Sequence, residues 1–227
     1  MPRVPDPQML PFTEIQFFEL FGRYNEAIWP APLIAYCIGA VSLLATQRHS
    51  RLFSTITLAS LAAFWAWTGG VYHGLFFAEI NPAARLFSAL FVGQALLLIV
   101  TAFGPPIDFT GRMSVIRGAA WVMILYALAI YPLLNAALGH NYPNAPTFGL
   151  TPCPLVIFTF GILALSRDPA SWPLFAAPLV WSLIGGSAAF LLGVEPDWAL
   201  PLSALAAVAL NASKPKSRVA AGRNPDR

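Results

Sequence analysis

Charged residues are missing from long intervals of the chain, at 27–47, 52–78, 86–107, 118–166, 169–194 and 198–213. A bilayer-spanning helix needs about 17–25 mostly apolar residues, and most of these intervals have that length. The 118–166 interval is long enough for two helices. A proline-rich stretch, GHNYPNAPTFGLTPCP at 139–154, divides it. The pattern predicts an all-α fold, a polytopic transmembrane helix bundle of about seven spans that forms one membrane domain over 27–212.

The first 26 residues read as a separate element on the outer face. Thr13 and Gln16 have the spacing of a capping box with Thr13 as N-cap, and Phe12 and Phe17 stand where a hydrophobic staple would put them. Phe17, Phe18, Phe21 and Ile28 then keep one helical face while Glu14, Glu19 and Arg23 stay polar. An amphipathic helix lying on the outer interface is expected; the alternative is a simple anchor for the first span. Prolines before Phe12 and the lack of a continuous apolar core argue against a cleavable signal peptide.

Composition agrees with the pattern. Of 227 residues, 57% are hydrophobic and 10% charged, against roughly 25% charged in an average soluble domain. So few charges could not keep water on the surface of a soluble domain. Two cysteines far apart are not a disulfide framework.

The charges are sorted by side. Seven spans put the termini on opposite sides, so the connections alternate. One side carries Arg48, Arg51, Arg112, Arg117, Arg167, Lys214, Lys216, Arg218, Arg223 and Arg227, and the other only Arg3, Arg23 and Arg85. This positive-inside bias makes the basic side cytoplasmic, with the N-terminus outside and the C-terminus inside. Asp6, Glu14, Glu19, Glu26, Glu79, Glu195 and Asp197 fall outside. The 213–227 tail, SKPKSRVAAGRNPDR, is expected to be drawn to anionic lipid headgroups, at about 1 kcal/mol per basic residue. Nucleic acid is excluded as a partner by this sorting.

The proline-rich stretch poses a depth problem. Residues 154–166 make roughly 20 Å of helix against a hydrocarbon core of about 30 Å. Arg167 anchors the inner end, so the outer end stops short. Pro143, Pro146 and Pro152 disfavour helix before it. Non-helical backbone at that depth is tolerated only where protein or a water-filled cavity surrounds it. A recessed, uncharged loop in a bowl on the outer face is therefore expected.

Several reactive side chains map to that face. His73 follows WAWTGGVY, Glu79 lies in FFAEINPAA, His140 and Tyr142 open the proline stretch, and Cys153 closes it. Ionisable groups at or below the interface point to function. A thiol at a helix N-terminus is expected to favour thiolate. Imidazole and sulfur suit a transition metal, so His73, His140 and Cys153 are candidate metal ligands, with Glu79 and Tyr142 supporting. Two histidines on different helices would also suit a haem iron. Asp197 and Asn81 read as helix N-caps, Cys37 as apolar filler, and 185–189 as small residues for close helix contact.

NEAIWP at 25–30, WAWTGGVYH with FFAEINPAA at 65–84, the proline stretch and IGGSAAFLLGV at 184–194 resemble a family of small bacterial polytopic membrane proteins, a domain of unknown function. The resemblance implies a multi-pass protein of the bacterial cytoplasmic (inner) membrane. It assigns no activity and no functional residue.

Three functions compete. The first is a recessed outer-face site for a metal ion, haem or small ligand, with His73, Glu79, His140, Tyr142 and Cys153 around it. The second is a small-solute permease, for which the spans offer only scattered groups such as Gln94, Thr55, Thr57, Tyr126 and Asn135. The third is a non-catalytic subunit of a membrane complex, a homo-oligomer or a partner chain packing on 185–189. No G-x-S-x-G elbow supports hydrolysis, and the sequence leaves open whether the protein is an enzyme.

Overall fold

The computed structural model of the chain describes residues 10–111 and 114–215. Arg3, Asp6 and Arg112, used above to sort the charges, and the basic tail from Lys216 onward lie outside the described residues. Among the described residues every regular element is helical.

The first helix, α1 (Glu14–Ala27), starts at the capping box expected of it. The Gln16 amide donates to Thr13 Oγ1 at 3.3 Å and the Thr13 amide to Gln16 Oε1 at 2.9 Å. Phe12 stacks on Phe17 with ring centroids 5.8 Å apart. The apolar face of α1 is covered by protein: Phe18, Leu20, Phe21 and Tyr24 are buried. At Trp29–Pro30 the chain bends by 84° into α2 (Ala31–Ala45).

Next comes α3 (Arg51–Trp67), capped by Ser50. It widens into a π-helical stretch, Thr68–Phe76, and closes with a 3-10 turn at Phe77–Glu79. Helix α4 (Ala84–Phe103) follows. Then α5 (Val115–Leu125) continues through a second π-helical stretch, Tyr126–Ile130, into α6 (Tyr131–Ala137). After the proline loop come α7 (Pro152–Ala164), α8 (Pro173–Leu192), a 3-10 turn at Glu195–Trp198 and α9 (Ala199–Ser213).

Helix α7 is the centre of the bundle. All of its residues are buried, and it packs against α3, α5, α8 and α9. Its close approach to α5 needs Gly161. A Cβ there would stand 3.0 Å from the Ala120 carbonyl oxygen and 2.6 Å from Ile124 Cγ1.

Four segments are long and apolar enough to cross a membrane: Arg51–Glu79, Ala84–Phe103, Val115–Ala137 and Pro173–Leu192. The bent pair α1–α2 makes a fifth if it counts as one span. Helices occupy every interval predicted to span, but α7 and α9, with 13 and 15 residues, are too short to count by length. Large apolar side chains cover the outside of the bundle, among them Leu44, Leu86, Phe103, Leu183 and Leu205. Such a surface suits hydrocarbon rather than water, and the chain is a helical membrane protein.

The connections gather at two ends. One end joins residues near 47–51, 103–111, 114–117, 163–170 and 211–214. There Arg51 donates to the Phe103 carbonyl, and the buried Arg117 donates to the Phe109 carbonyl and to Gln47 Oε1. Asp108 faces His49 at 3.2 Å and Arg167 at 3.7 Å. Lys214 Nζ donates to Ser166 Oγ at 2.8 Å and to the Leu163 carbonyl at 3.3 Å. The other end joins α1, the end of the α3 extension, the proline loop and the turn before α9.

Candidate functional site

The proline loop descends from the surface into the protein. Asn141 and Tyr142 are exposed, whereas Ala145, Pro146 and every residue from Phe148 to Cys153 are buried. Its buried carbonyls find donors on α1. Asn25 Nδ2 donates to the Pro143 and Ala145 carbonyls at 2.6 and 2.8 Å, and Asn25 Oδ1 accepts from Thr147 Oγ1. Tyr24 donates to the Leu150 carbonyl at 2.7 Å and accepts from the Trp67 indole. Gly149 has φ +74°, and its missing Cβ would stand 2.9 Å from the Phe64 ring. Only glycine meets both demands. The loop is thus held as backbone enclosed by protein.

Behind the loop lies a cavity of about 180 Å³. Phe12, Phe17, Phe21, Tyr72, Phe77, Phe87 and Trp181 wall it, from α1, the α3 extension, α4 and α8. Asn81, Thr151, Cys153 and Asp197 supply its buried polar groups.

Asp197 decides the chemistry of this cavity. Its carboxylate accepts a short hydrogen bond from the Tyr131 hydroxyl and lies against the Cys153 thiol. Among the described residues no cation forms an ion pair with it. Burial pushes its carboxyl up to about 6, against the pull of Tyr131 and Cys153. Cys153 sits between Asp197 and the Trp181 indole. The Trp181 Nε1 atom is buried and makes no hydrogen bond of good geometry.

The expectation that Asp197 caps α9 is corrected. Its side chain makes no capping hydrogen bond and reaches Tyr131 instead. Cys153, expected at the N-terminal end of its helix, is buried there beside the Asp197 carboxylate.

The five side chains singled out from the sequence are not brought together, and only Cys153 lines the cavity. Glu79 pairs with Arg23 at 2.9 Å on the surface. Tyr142 donates to the Asn25 carbonyl at 3.3 Å and so helps hold the loop. His140 stacks flat on Phe18, centroids 3.6 Å apart. His73 is fully buried behind the cavity wall among Tyr72, Phe77, Phe87, Phe91 and Trp181, and neither ring nitrogen has a hydrogen-bond partner. Among the described residues no three His, Cys, Asp or Glu side chains are placed to hold a metal ion. His73, His140 and Cys153 are therefore not a metal triad. The rings packed round His73 also leave no space beside its nitrogens for a haem plane.

The residues that sequence reasoning missed are Tyr131, Trp181 and the true role of Asp197. A signal existed for Asp197, an acid in an otherwise apolar stretch. None existed for Tyr131 or Trp181, which look like ordinary packing aromatics.

The model of a family of unknown function (DUF6064) matches residues 14–220, and the chain belongs to that family. No curated protein and no solved structure matches it.

Proposed function

We propose that this DUF6064 member is a multi-pass membrane protein that binds a small, mostly apolar molecule in the cavity beside Asp197. The observation that carries this is an aromatic-walled cavity with a buried carboxylate at its wall that no cation pairs with among the described residues. Ligand sites are mostly apolar, with a few polar groups that fix orientation. A buried carboxylate without a counter-charge is costly, and a bound molecule that donates to it would offset part of that.

The donor set does not favour a metal, since no three such side chains stand together among the described residues and His73 and His140 are both packed against aromatic rings. The permease alternative gains no support from the polar groups within the spans. Gln94 donates to the Leu174 carbonyl, Thr55 to Ala102, Thr57 to Phe53, Tyr126 to Pro196 and Asn135 to Tyr131. These groups tie helices to backbone rather than leaving a lined path.

In this proposal the chain crosses the membrane seven times, with α7 and α9 made long enough by their flanking turns. The cavity faces outward and the Lys214 end faces the cytoplasm. The ten-to-three distribution of basic residues supports that sidedness.

The test is mass spectrometry of organic extracts from protein purified out of its own membrane. A small molecule near one equivalent is expected from the natural protein. It should be lost from Ala188→Phe, which fills the cavity from α8. Equal amounts in both proteins, or none in either, would remove the proposal.

A further inference from the structure

We infer that the cavity is entered sideways from the outer leaflet of the bilayer, and that its occupant is an uncharged single-chain lipid with a small hydroxyl-bearing head. This rests on the binding proposal above and adds the route and the class of ligand.

The cavity opens on one side. Its lining residues from the proline loop, α7 and the turn before α9 are buried. Exposure lies on the side of α1, α4 and α8, chiefly at Phe17, Phe87, Ile184, Ser187, Ala188 and Leu191. None of these is charged. Close by on the same helices, Leu86, Leu183 and Phe190 are 74%, 75% and 63% exposed. In a membrane protein such surfaces face hydrocarbon, so the mouth opens into lipid rather than water.

Depth agrees with this. Helix α8 has 20 residues, about 30 Å, which matches the hydrocarbon core once across. Ile184 to Leu191 then lie from about 12 to about 2 Å below its outer end. Toward the middle of the bundle the gap closes. The Phe87 and Trp181 rings meet at 5.3 Å, and Gln94 donates to the Leu174 carbonyl at 2.9 Å. The buried polar groups sit at the opposite end of the cavity. Asn81, Thr151 and Asp197 come just before α4, α7 and α9, three helices that start at the outer end. Polar at the outer end and aromatic toward the middle, the cavity has the polarity of a leaflet. A lipid can therefore move in sideways without turning over.

Charge and size choose among lipids. A phosphate or carboxylate head would meet Asp197 with no cation paired to it among the described residues. An ammonium would suit Asp197 but would first be drawn through a mouth at hydrocarbon depth, which is costly for any charge. A hydroxyl passes uncharged. It can donate to Asp197, whose carboxylate has about four acceptor sites, or accept from Asn81. The Ala83 amide occupies Asn81 Oδ1 at 3.1 Å and leaves its Nδ2 group to donate. An apolar cavity of about 150 Å³ holds a benzene-sized guest, and this one measures about 180 Å³. That is room for a small head and the first carbons of one chain, with the remainder left in the bilayer.

The experiment uses the full chain in lipid nanodiscs and photoreactive probes, with cross-linked residues located by mass spectrometry. Two hexadecanols carry a diazirine, one beside the hydroxyl and one at the far end of the chain. Hexadecyltrimethylammonium and hexadecyl sulfate carry it beside the head, and a diazirine-bearing butanol is supplied from water. The head-end hexadecanol is expected to label Tyr72, Phe77 or Cys153 saturably, and the tail-end hexadecanol to leave all three unlabelled. The two charged probes should need at least about tenfold more. In Ala188→Phe the cavity label should vanish while exposed Leu205 on α9 is still labelled, which shows a folded, inserted protein. Cavity labelling by the tail-end probe, or labelling that survives Ala188→Phe, would overturn the inference. A charged probe that saturates as readily as hexadecanol would overturn the uncharged class. If the butanol labels the cavity and hexadecanol does not, route and class are overturned and the binding proposal stands. If no probe labels it, both are overturned.

Discussion

Asp197 and Lys214 bracket the buried helix α7. The Asp197 carboxylate lies against Cys153 in its first turn, and Lys214 Nζ donates to the Leu163 carbonyl in its last. Both charges flank α9, one just before it and one just after, so α7 and α9 run parallel. Parallel neighbours stack their dipoles in the same direction, which is unfavourable. A negative charge at the N-terminal end and a positive one at the C-terminal end offset this. The residues that flank α9 therefore hold both ends of α7.

Lys214 should make stability rise with pH. Burial pushes its ammonium down to about 8 from an ordinary 10.5. Between those values the unfolded chain holds a proton that the folded protein has released, so unfolding becomes less favourable as pH increases. Unfolding in detergent, followed from pH 7.5 to 10.5, should show this rise. Lys214→Met should lose it. A slope unchanged by the substitution would rule out Lys214 as its source.

Asn25 is expected to hold the proline loop at depth. Asn25→Ala removes the donor for the Pro143 and Ala145 carbonyls and the acceptor for Thr147. Each buried group left unmet costs about 1–3 kcal/mol. Hydrogen exchange should quicken across 144–151 while the amides of α7 keep their protection. Unaltered exchange in the loop would mean that Tyr24 and Gly149 suffice to hold it.

Much of this architecture was legible in the sequence. The Thr13–Gln16 capping box and the Phe12–Phe17 contact follow from local spacing and stand as expected. The prolines and the short run after Cys153 pointed to a loop enclosed by protein, and residues 145–146 and 148–153 are buried. The site was less legible, since its chemistry is tertiary. Asp197 meets Tyr131 across 66 residues of sequence, and no spacing rule reaches that far. The π-helical stretch Thr68–Phe76, which carries His73 and Tyr72, breaks the 3.6-residue period on which helix reading relies. His73 and Cys153 were singled out for their reactivity alone, and only packing separates one behind the cavity wall from the other on it.

Gly161→Ala should destabilise the bundle by about 1–3 kcal/mol, the usual cost of overpacking a core. The added Cβ would meet the Ala120 carbonyl oxygen and Ile124 of α5, and backbone cannot move aside as a side chain can. Gly118→Ala is the control. It lies on the same partner helix, where nothing stands within 4 Å of an added Cβ, and alanine is the better helix former by about 1 kcal/mol. Thermal unfolding in one detergent should order the three proteins as Gly118→Ala at or above the natural chain and Gly161→Ala below it. Equal losses would mean that α5 and α7 do not approach as closely as described.

Asp197 should work against stability as pH rises, in a window separate from that of Lys214. Its folded value is pushed up to about 6 from an ordinary 3.8. Between the two, the folded protein holds a proton that the unfolded chain has lost. The stabilisation from the protonated form is complete below about 3.8 and disappears as pH climbs through about 6. Asp197→Asn keeps an acceptor for the Tyr131 hydroxyl and carries no charge, so it should remove this dependence without emptying the site. The natural protein and the variant should therefore be most alike at pH 4, and the variant should gain relative to the natural chain by pH 7.5. Unfolding curves of both proteins from pH 4 to 7.5 measure this effect. A difference between the two proteins that stays constant over that range would show that Asp197 does not change its charge there.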